Sequence, residues 1–389
     1  MMKDIKAFLG PKVGLTRDIL SRDEDIRSEP GKDQEITRLR LRLAEAEEQL
    51  ARLKAGGSVG IQRGDIPIFF VVGRPKSGTT WLRRMLDQHP EVLCHGEGRF
   101  FGRDDKDPNF ENVRVNSKGQ MMRPGSLHYT LGEYENLRIW LQRTWWSRDG
   151  DVDEHIACLT REAVHYFLAR KLSETGKRIV GDKTPLQSAQ TVSEIASMFP
   201  EAKVVHIIRD GRDQAVSHAH HRWNRVRPVE EGGRLTLEER DKRDRYRENP
   251  EGFVASGESI FSDQHLIGAA KGWCSQVGTT HREGTSVLGD GYTEVYYEDL
   301  LERPEEEMGR LFRFLGARDD ERVVRRCVER NRFEEVARRQ AGSEDSTSFL
   351  RKGIAGDWRS VFTECDKTIY KEIAGDLLIE LGYEKDNNW

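Results

Sequence analysis

Residues 66–72 form a short apolar run broken only by Pro67, and Gly73-Arg74-Pro75-Lys76-Ser77-Gly78-Thr79-Thr80-Trp81 follows at once, leading into a helical stretch over 80–89. A brief apolar run, a glycine turn and a helix in that order read as a buried strand of an α/β domain. The pairing recurs: strand-like 178–181 before helix-like 191–199, 203–208 before 212–222, and 293–297 before 304–315. The fold class expected is therefore α/β, a three-layer domain whose central, mostly parallel sheet is flanked by helices. The turn carries a second message. Gly73 and Gly78 have the GxxxxG spacing of a phosphate-binding loop, in which backbone N–H groups and a helix start cradle an anion. A Walker loop continues with lysine and then serine or threonine, whereas here Thr79 and Thr80 follow the second glycine and the lysine lies inside the loop as Lys76. A nucleoside triphosphatase fits this pattern poorly.

Charge narrows the function classes. The 389 residues hold 63 Lys and Arg against 67 Asp and Glu, a net charge of −4, which argues against a general nucleic-acid or membrane-surface binder while allowing a local basic pocket. No apolar stretch approaches the roughly 18 residues of a membrane span, and nothing of signal-peptide character follows Met1. Five scattered cysteines, Cys94, Cys158, Cys274, Cys327 and Cys365, without a CxxC pair, suit reduced thiols. Together these features lead to the expectation of a cytoplasmic protein.

Two regions stand apart from the α/β pattern. Residues 1–60 form an amino-terminal extension with an amphipathic helix over about 32–54, where Ile36, Leu39, Leu43, Ala46, Leu50 and Leu53 give a coiled-coil-like seam suited to a homodimer or to docking on the chain's own domain. The main domain is expected over 61–389. Within it, 223–261 is rich in charge and glycine with almost no apolar periodicity, and reads as a mobile insertion or lid.

Four ordered segments resemble one family. PKSGTTW, from Pro75 to Trp81, resembles the 5′-phosphosulfate loop of the sulfotransferases that use 3′-phosphoadenosine 5′-phosphosulfate (PAPS), which share a P-loop fold. Val204-Val205-His206-Ile207-Ile208-Arg209-Asp210-Gly211-Arg212-Asp213, with Ser217 beyond it, resembles the family's 3′-phosphate segment. Tyr297-Glu298-Asp299-Leu300 and Phe349-Leu350-Arg351-Lys352-Gly353-Ile354-Ala355-Gly356-Asp357-Trp358 resemble the YEDL and RKGxxGDW segments of its cytosolic branch. The resemblance implies that Lys76, Ser77, Gly78, Thr79 and Thr80 hold the 5′-phosphosulfate, and that Arg209, Ser217, Arg351, Lys352 and Gly353 hold the 3′-phosphate. It also implies that Trp81 stacks on adenine, bordered by Tyr297 and Phe349. Arginine suits a phosphate dianion, which it meets bidentately, and the strand 203–208 ends in Arg209 where a Mg²⁺-binding carboxylate would stand in a Walker B site.

An attacking hydroxyl needs a group to take its proton. The KTHxP histidine of the cytosolic branch is missing from Gly181-Asp182-Lys183-Thr184-Pro185, whereas the segment from His89 to Phe101 resembles the base segment of the tyrosylprotein and heparan sulfate branches. Its Glu97 falls on the base position, with Lys183 and Arg99 as cations that tune it or steady the transferring group, and His95 as the alternative base. Trp140, Trp145 and Trp146 fall where the family builds its acceptor pocket, with core packing as the other reading. His218 and His221, three apart on a helix, lack a third ligand and read as a solvated face, so no metal site is expected. The expectation is a metal-free transfer of a sulfuryl group from PAPS to an acceptor hydroxyl, less readily an amine, with no nucleic-acid partner. A phosphoryl-transfer enzyme on the same loop, or a scaffold that assembles through the 32–54 helix, are the competing readings.

Overall fold

The structure, a computed structural model, describes residues 66–102, 126–186, 188–224, 235–342, 345 and 351–389. The amino-terminal helix expected over 32–54 and Phe349 lie outside the described residues. Five strands, β1 (Ile68–Gly73), β2 (Val92–Gly96), β3 (Ile179–Pro185), β4 (Lys203–Ile208) and β5 (Tyr292–Tyr296), form one sheet in the order β2-β3-β1-β4-β5. Every neighbouring pair is parallel. Parallel neighbours require crossovers, and helices supply them, among them Thr79–Asp87 after β1, Val152–Ser173 before β3, Thr191–Met198 before β4 and Gly211–Asn224 after β4.

β1 shows why the first run is apolar without alternation. Phe69 and Val71 pack into a cluster with Leu82, Met85, Leu311 and Phe312, while Ile68, Phe70 and Val72 pack into a second cluster with Val164, Leu168 and Ile195. A strand covered on both faces must be apolar on both, and each fully buried side chain of this kind contributes about 1.5–3 kcal/mol. The sequence reading misses β2. Only Val92, Leu93 and Cys94 of that edge strand are buried, and His95 and Gly96 are exposed, so no apolar run announces it.

The stretch 223–261 differs from expectation. Over its described part it forms the helices Leu237–Glu248 and Pro250–Ala255, and Trp223, Leu235, Tyr246, Phe253, Ile260 and Phe261 are buried in a third core cluster with Trp273 and Tyr370. Thr236 opens the first of these helices with a capping box to Glu239. A few widely spaced aromatic anchors, on helices otherwise covered by ion pairs such as Arg245–Asp241, fix this segment in the core without leaving a periodic stripe.

Parallel strands also decide where chemistry can gather. All five carboxyl ends open on the same edge of the sheet, and the chain departs from β1 toward β2 on one side while β4 and β5 fill the other. Such a switch point leaves a crevice beyond the strand ends.

Candidate active site

Each strand delivers a residue to that crevice: Lys76 beyond β1, Glu97 beyond β2, Lys183 within the last turn of β3, Arg209 after β4 and Tyr297 after β5. All five line one cavity of about 1330 Å³.

The loop after β1 is shaped by its glycines. A Cβ on Gly73 would lie 2.7 Å from Ile207 Cγ2, and one on Gly78, whose φ is 93°, would lie 2.6 Å from the Tyr297 ring. The turn at Lys76 is left-handed too, with φ 78°. Trp81 N–H donates to Gly78 O at 2.9 Å, so the N–H groups of Thr79 and Thr80 precede the intrahelical ladder. Gly78, Thr79, Thr80 and Trp81 line the cavity with Lys76. Ser77 is turned the other way: its N–H closes the turn onto Arg74 O at 3.1 Å, and its buried hydroxyl accepts from Gln214 Nε2 at 2.6 Å. Arg74 Nη1 donates to Gln214 Oε1 at 2.6 Å. Ser77 thus ties the loop to the helix after β4, a contact between Arg74, Ser77 and Gln214 that sequence spacing does not reveal.

Arg209 is held in place by acceptors and an aromatic face. Its Nη1 donates to Lys76 O at 3.1 Å and Nη2 to Ile354 O at 3.2 Å, while the guanidinium lies 4.4 Å from the Tyr297 ring centroid. Its Nε is buried with no hydrogen-bond partner among the described residues. Tyr297 meets Trp81 edge-on at 5.7 Å, and Trp81 Nε1 donates to Asn331 O at 2.7 Å, which fixes the indole plane.

The carboxy-terminal segment is latched by two buried aspartates. Asp357 pairs with Arg351 and, at 2.7 Å, with Lys352 Nζ. Burial works to raise its pKa, but Arg351 and Lys352 outweigh that and hold the carboxyl below its ordinary range. Asp213, on the helix after β4, accepts Gly356 N–H at 2.7 Å and Trp358 N–H at 2.9 Å. Burial pushes its carboxyl up, with Arg209 pulling the other way. Gly353, with φ 67°, has no room for a Cβ, which would sit 2.2 Å from Phe333. Arg351, Lys352, Gly353 and Ser217 all line the cavity.

On the opposite wall, Lys183 Nζ donates to Glu97 Oε1 at 2.5 Å. The side chain of Lys183 is 5 % exposed and that of Glu97 is 55 % exposed, so a buried cation presents an open carboxylate. Glu97 and Arg99 both have left-handed backbones, φ 62° and 50°. Apart from Arg338, the non-glycine residues with positive φ among the described residues are Lys76, Glu97 and Arg99, and all three line the cavity. Strain of this kind, about 1–3 kcal/mol per residue, gathers at functional sites.

Other sequence candidates separate. His95 is exposed and does not line the cavity, and Cys94 is buried, its thiol pushed up by desolvation. His218, which is exposed, and His221, half-buried, line it beside Ser217. The His218 ring still meets water, yet surrounding protein and the nearby Arg74 and Lys76 lower its pKa to about 4. Trp140, Trp145 and Trp146 are neither core nor cavity lining; all are exposed, Trp146 by 89 %.

The chain's relatives fit this geometry. A family model described as the sulfotransferase family matches residues 67–321. A protein-tyrosine sulfotransferase of Drosophila melanogaster is 25 % identical over 258 residues, 64 % of this chain and 38 % of that protein. Sulfotransferase 1A1 of Bos taurus is 27 % identical over 184 residues, 44 % of this chain and 53 % of that protein. The chain therefore spans roughly two fifths to half of these relatives' lengths. A mouse sulfotransferase solved with PAP overlaps 80 % of this chain and 84 % of its own at a TM-score of 0.42 and 15 % identity. At that score the likeness adds nothing to what the sheet itself shows. The cytoplasmic placement expected from the sequence is overturned by the likeness to protein-tyrosine sulfotransferases. Among the described residues no helix is long and apolar enough to cross a membrane.

Proposed function

The chain belongs to the sulfotransferase family, and from that premise we propose that it moves a sulfuryl group from PAPS to an acceptor hydroxyl, with Glu97 as general base. The observation that carries this reading is the meeting of Lys76, Glu97, Lys183 and Arg209 around one cavity, with Glu97 2.5 Å from a buried ammonium.

The residues present suit such a donor. Arg209 has a buried, unpartnered Nε among the described residues, and Gly78 and Gly353 keep the backbone open where a Cβ would collide. Bound there, PAPS supplies the sulfuryl group and a phosphate that leaves with negative charge. Lys76 and the N–H groups of Gly78, Thr79 and Thr80 hold the 5′ end through charge and the helix start. Arg209, Ser217, Arg351, Lys352 and the Gly353 backbone hold the 3′-phosphate, and Trp81 and Tyr297 border the base. Glu97 takes the hydroxyl proton as the oxygen attacks, and Lys183, donating to it at 2.5 Å, keeps the carboxylate aimed. Arg99 stands beside it as a further cation. Positioning and fixed charge then supply most of the rate.

A thermal shift with 3′,5′-adenosine bisphosphate, 5′-AMP and ATP with Mg²⁺ tests the donor half. A ligand at about a hundred times its Kd stabilises the native state by roughly 2.7 kcal/mol. A rise with the bisphosphate alone is expected; a rise only with ATP and Mg²⁺ would transfer the site to phosphoryl chemistry, and no rise at all would favour a scaffold. Labelled sulfuryl transfer from PAPS to a tyrosine peptide, a simple phenol and an alkyl alcohol then identifies the acceptor class.

A further inference from the structure

Asp182 sits on β3 beside Lys183 and is buried, 2 % exposed, although the catalytic reading above gives it no task. Its Oδ1 accepts the Gly98 N–H at 3.0 Å and its Oδ2 accepts the Thr184 hydroxyl at 2.8 Å. One residue earlier in the same loop, Glu97 N–H donates to Lys183 O at 2.9 Å. Successive amides of the loop are thus pinned to successive residues of β3, and of the two pinned residues Gly98 falls between the left-handed positions Glu97 and Arg99. Gly98 itself is exposed, so its N–H could equally be satisfied by water. A buried carboxylate spent on an exposed amide does little for the core; what it does fix is the direction of the turn.

We propose that Asp182 is a positioning residue for the sulfuryl-transfer reaction: by holding the Gly98 amide it keeps the 97–99 turn left-handed and so keeps the Glu97 carboxylate against Lys183 and facing the acceptor hydroxyl. This rests on Glu97 being the base. The oxygen that accepts from Gly98 matters, and the negative charge does not. Asparagine retains that oxygen, and the Thr184 hydroxyl can turn to accept from its amide, so Asp182→Asn preserves both contacts. Alanine removes both.

The test compares Asp182→Ala, Asp182→Asn and Glu97→Gln in transfer from PAPS to a tyrosine peptide, with 3′,5′-adenosine bisphosphate binding measured alongside. Asp182→Ala is expected to lower kcat by about 100-fold, the size of a roughly 1 Å misplacement, while KM for PAPS and bisphosphate affinity hold. Asp182→Asn is expected to restore most of kcat, which a charge-dependent role would not allow. Full activity in the alanine variant, or an asparagine variant as impaired as alanine, overturns the proposal. Near-normal turnover in Glu97→Gln overturns the base assignment instead, whatever Asp182 does. Hydrogen exchange at the Gly98 amide in the unaltered protein and in Asp182→Asn decides the matter if the alanine variant fails to fold or the peptide is not turned over. Protection in both is expected, and exchange at the rate of an open loop in the unaltered protein overturns the contact on which the proposal stands.

Discussion

Arg209 enters the cavity from a buried position braced by two backbone carbonyls, and Arg351 from a half-buried one paired with Asp357, whereas Glu97 enters from an exposed turn braced through β3. On the arginine wall one support is distant in the chain and one is local: Asp213 on the helix after β4 grips Gly356 and Trp358, and Asp357 grips its near neighbours Arg351 and Lys352. On the Glu97 wall two adjacent residues of one strand, Asp182 and Lys183, hold the turn and its carboxylate. A wall that must hold a multiply charged ligand gains from redundancy. A wall proposed to take a proton needs its carboxylate open to the acceptor as well as aimed.

That contrast can be broken from either side. The largest effect is expected at Glu97: Glu97→Gln should lower kcat by roughly 10²–10⁴-fold, the usual weight of a general base, with bisphosphate binding unchanged by calorimetry. Arg209→Ala should do the reverse, weakening the bisphosphate by about 1.5–3 kcal/mol, or roughly 10–100-fold, because a charge-assisted bond is lost. Next comes acidity. The Asp357 carboxyl lies below its ordinary value in the folded chain, so its contribution to stability is complete above the unfolded value of 3.8 and is lost as pH falls through the lower folded value. Thermal melts of Asp357→Asn and the unaltered protein should therefore differ at neutral pH and converge below about pH 3.8. The smallest change is expected from Trp146→Ser, which touches neither wall: stability should move by no more than about 0.5 kcal/mol and donor affinity should stay the same.

Local residues announced part of this molecule. β1, the glycine turn and β4 were legible because a strand buried on both faces is apolar throughout, and because a glycine loop before a helix has few other uses. Lys76, Arg209 and Glu97 followed from the motifs. The supports did not. Asp213 meets Gly356 across 143 residues, and Gln214 meets Ser77 across 137, so only the folded sheet brings them together. β2 escaped because its outer end is polar, and 223–261 escaped because single aromatics such as Tyr246 and Phe253 anchor helices that are otherwise charged. The tryptophans at 140, 145 and 146 carried no positional information, since an indole in sequence looks the same on a surface as in a pocket.

The left-handed backbone at Glu97 and Arg99 sets two aims of protein engineering against each other. Glycine or asparagine at these positions relaxes a conformation that glutamate and arginine occupy at a cost of about 1–3 kcal/mol. A library ranked by heat resistance would therefore enrich replacements at 97 and 99, and the hardiest clones would be the ones that have lost the carboxylate proposed as proton acceptor. Read in reverse, the positions such a screen erases first are a map of the reaction centre drawn without any substrate.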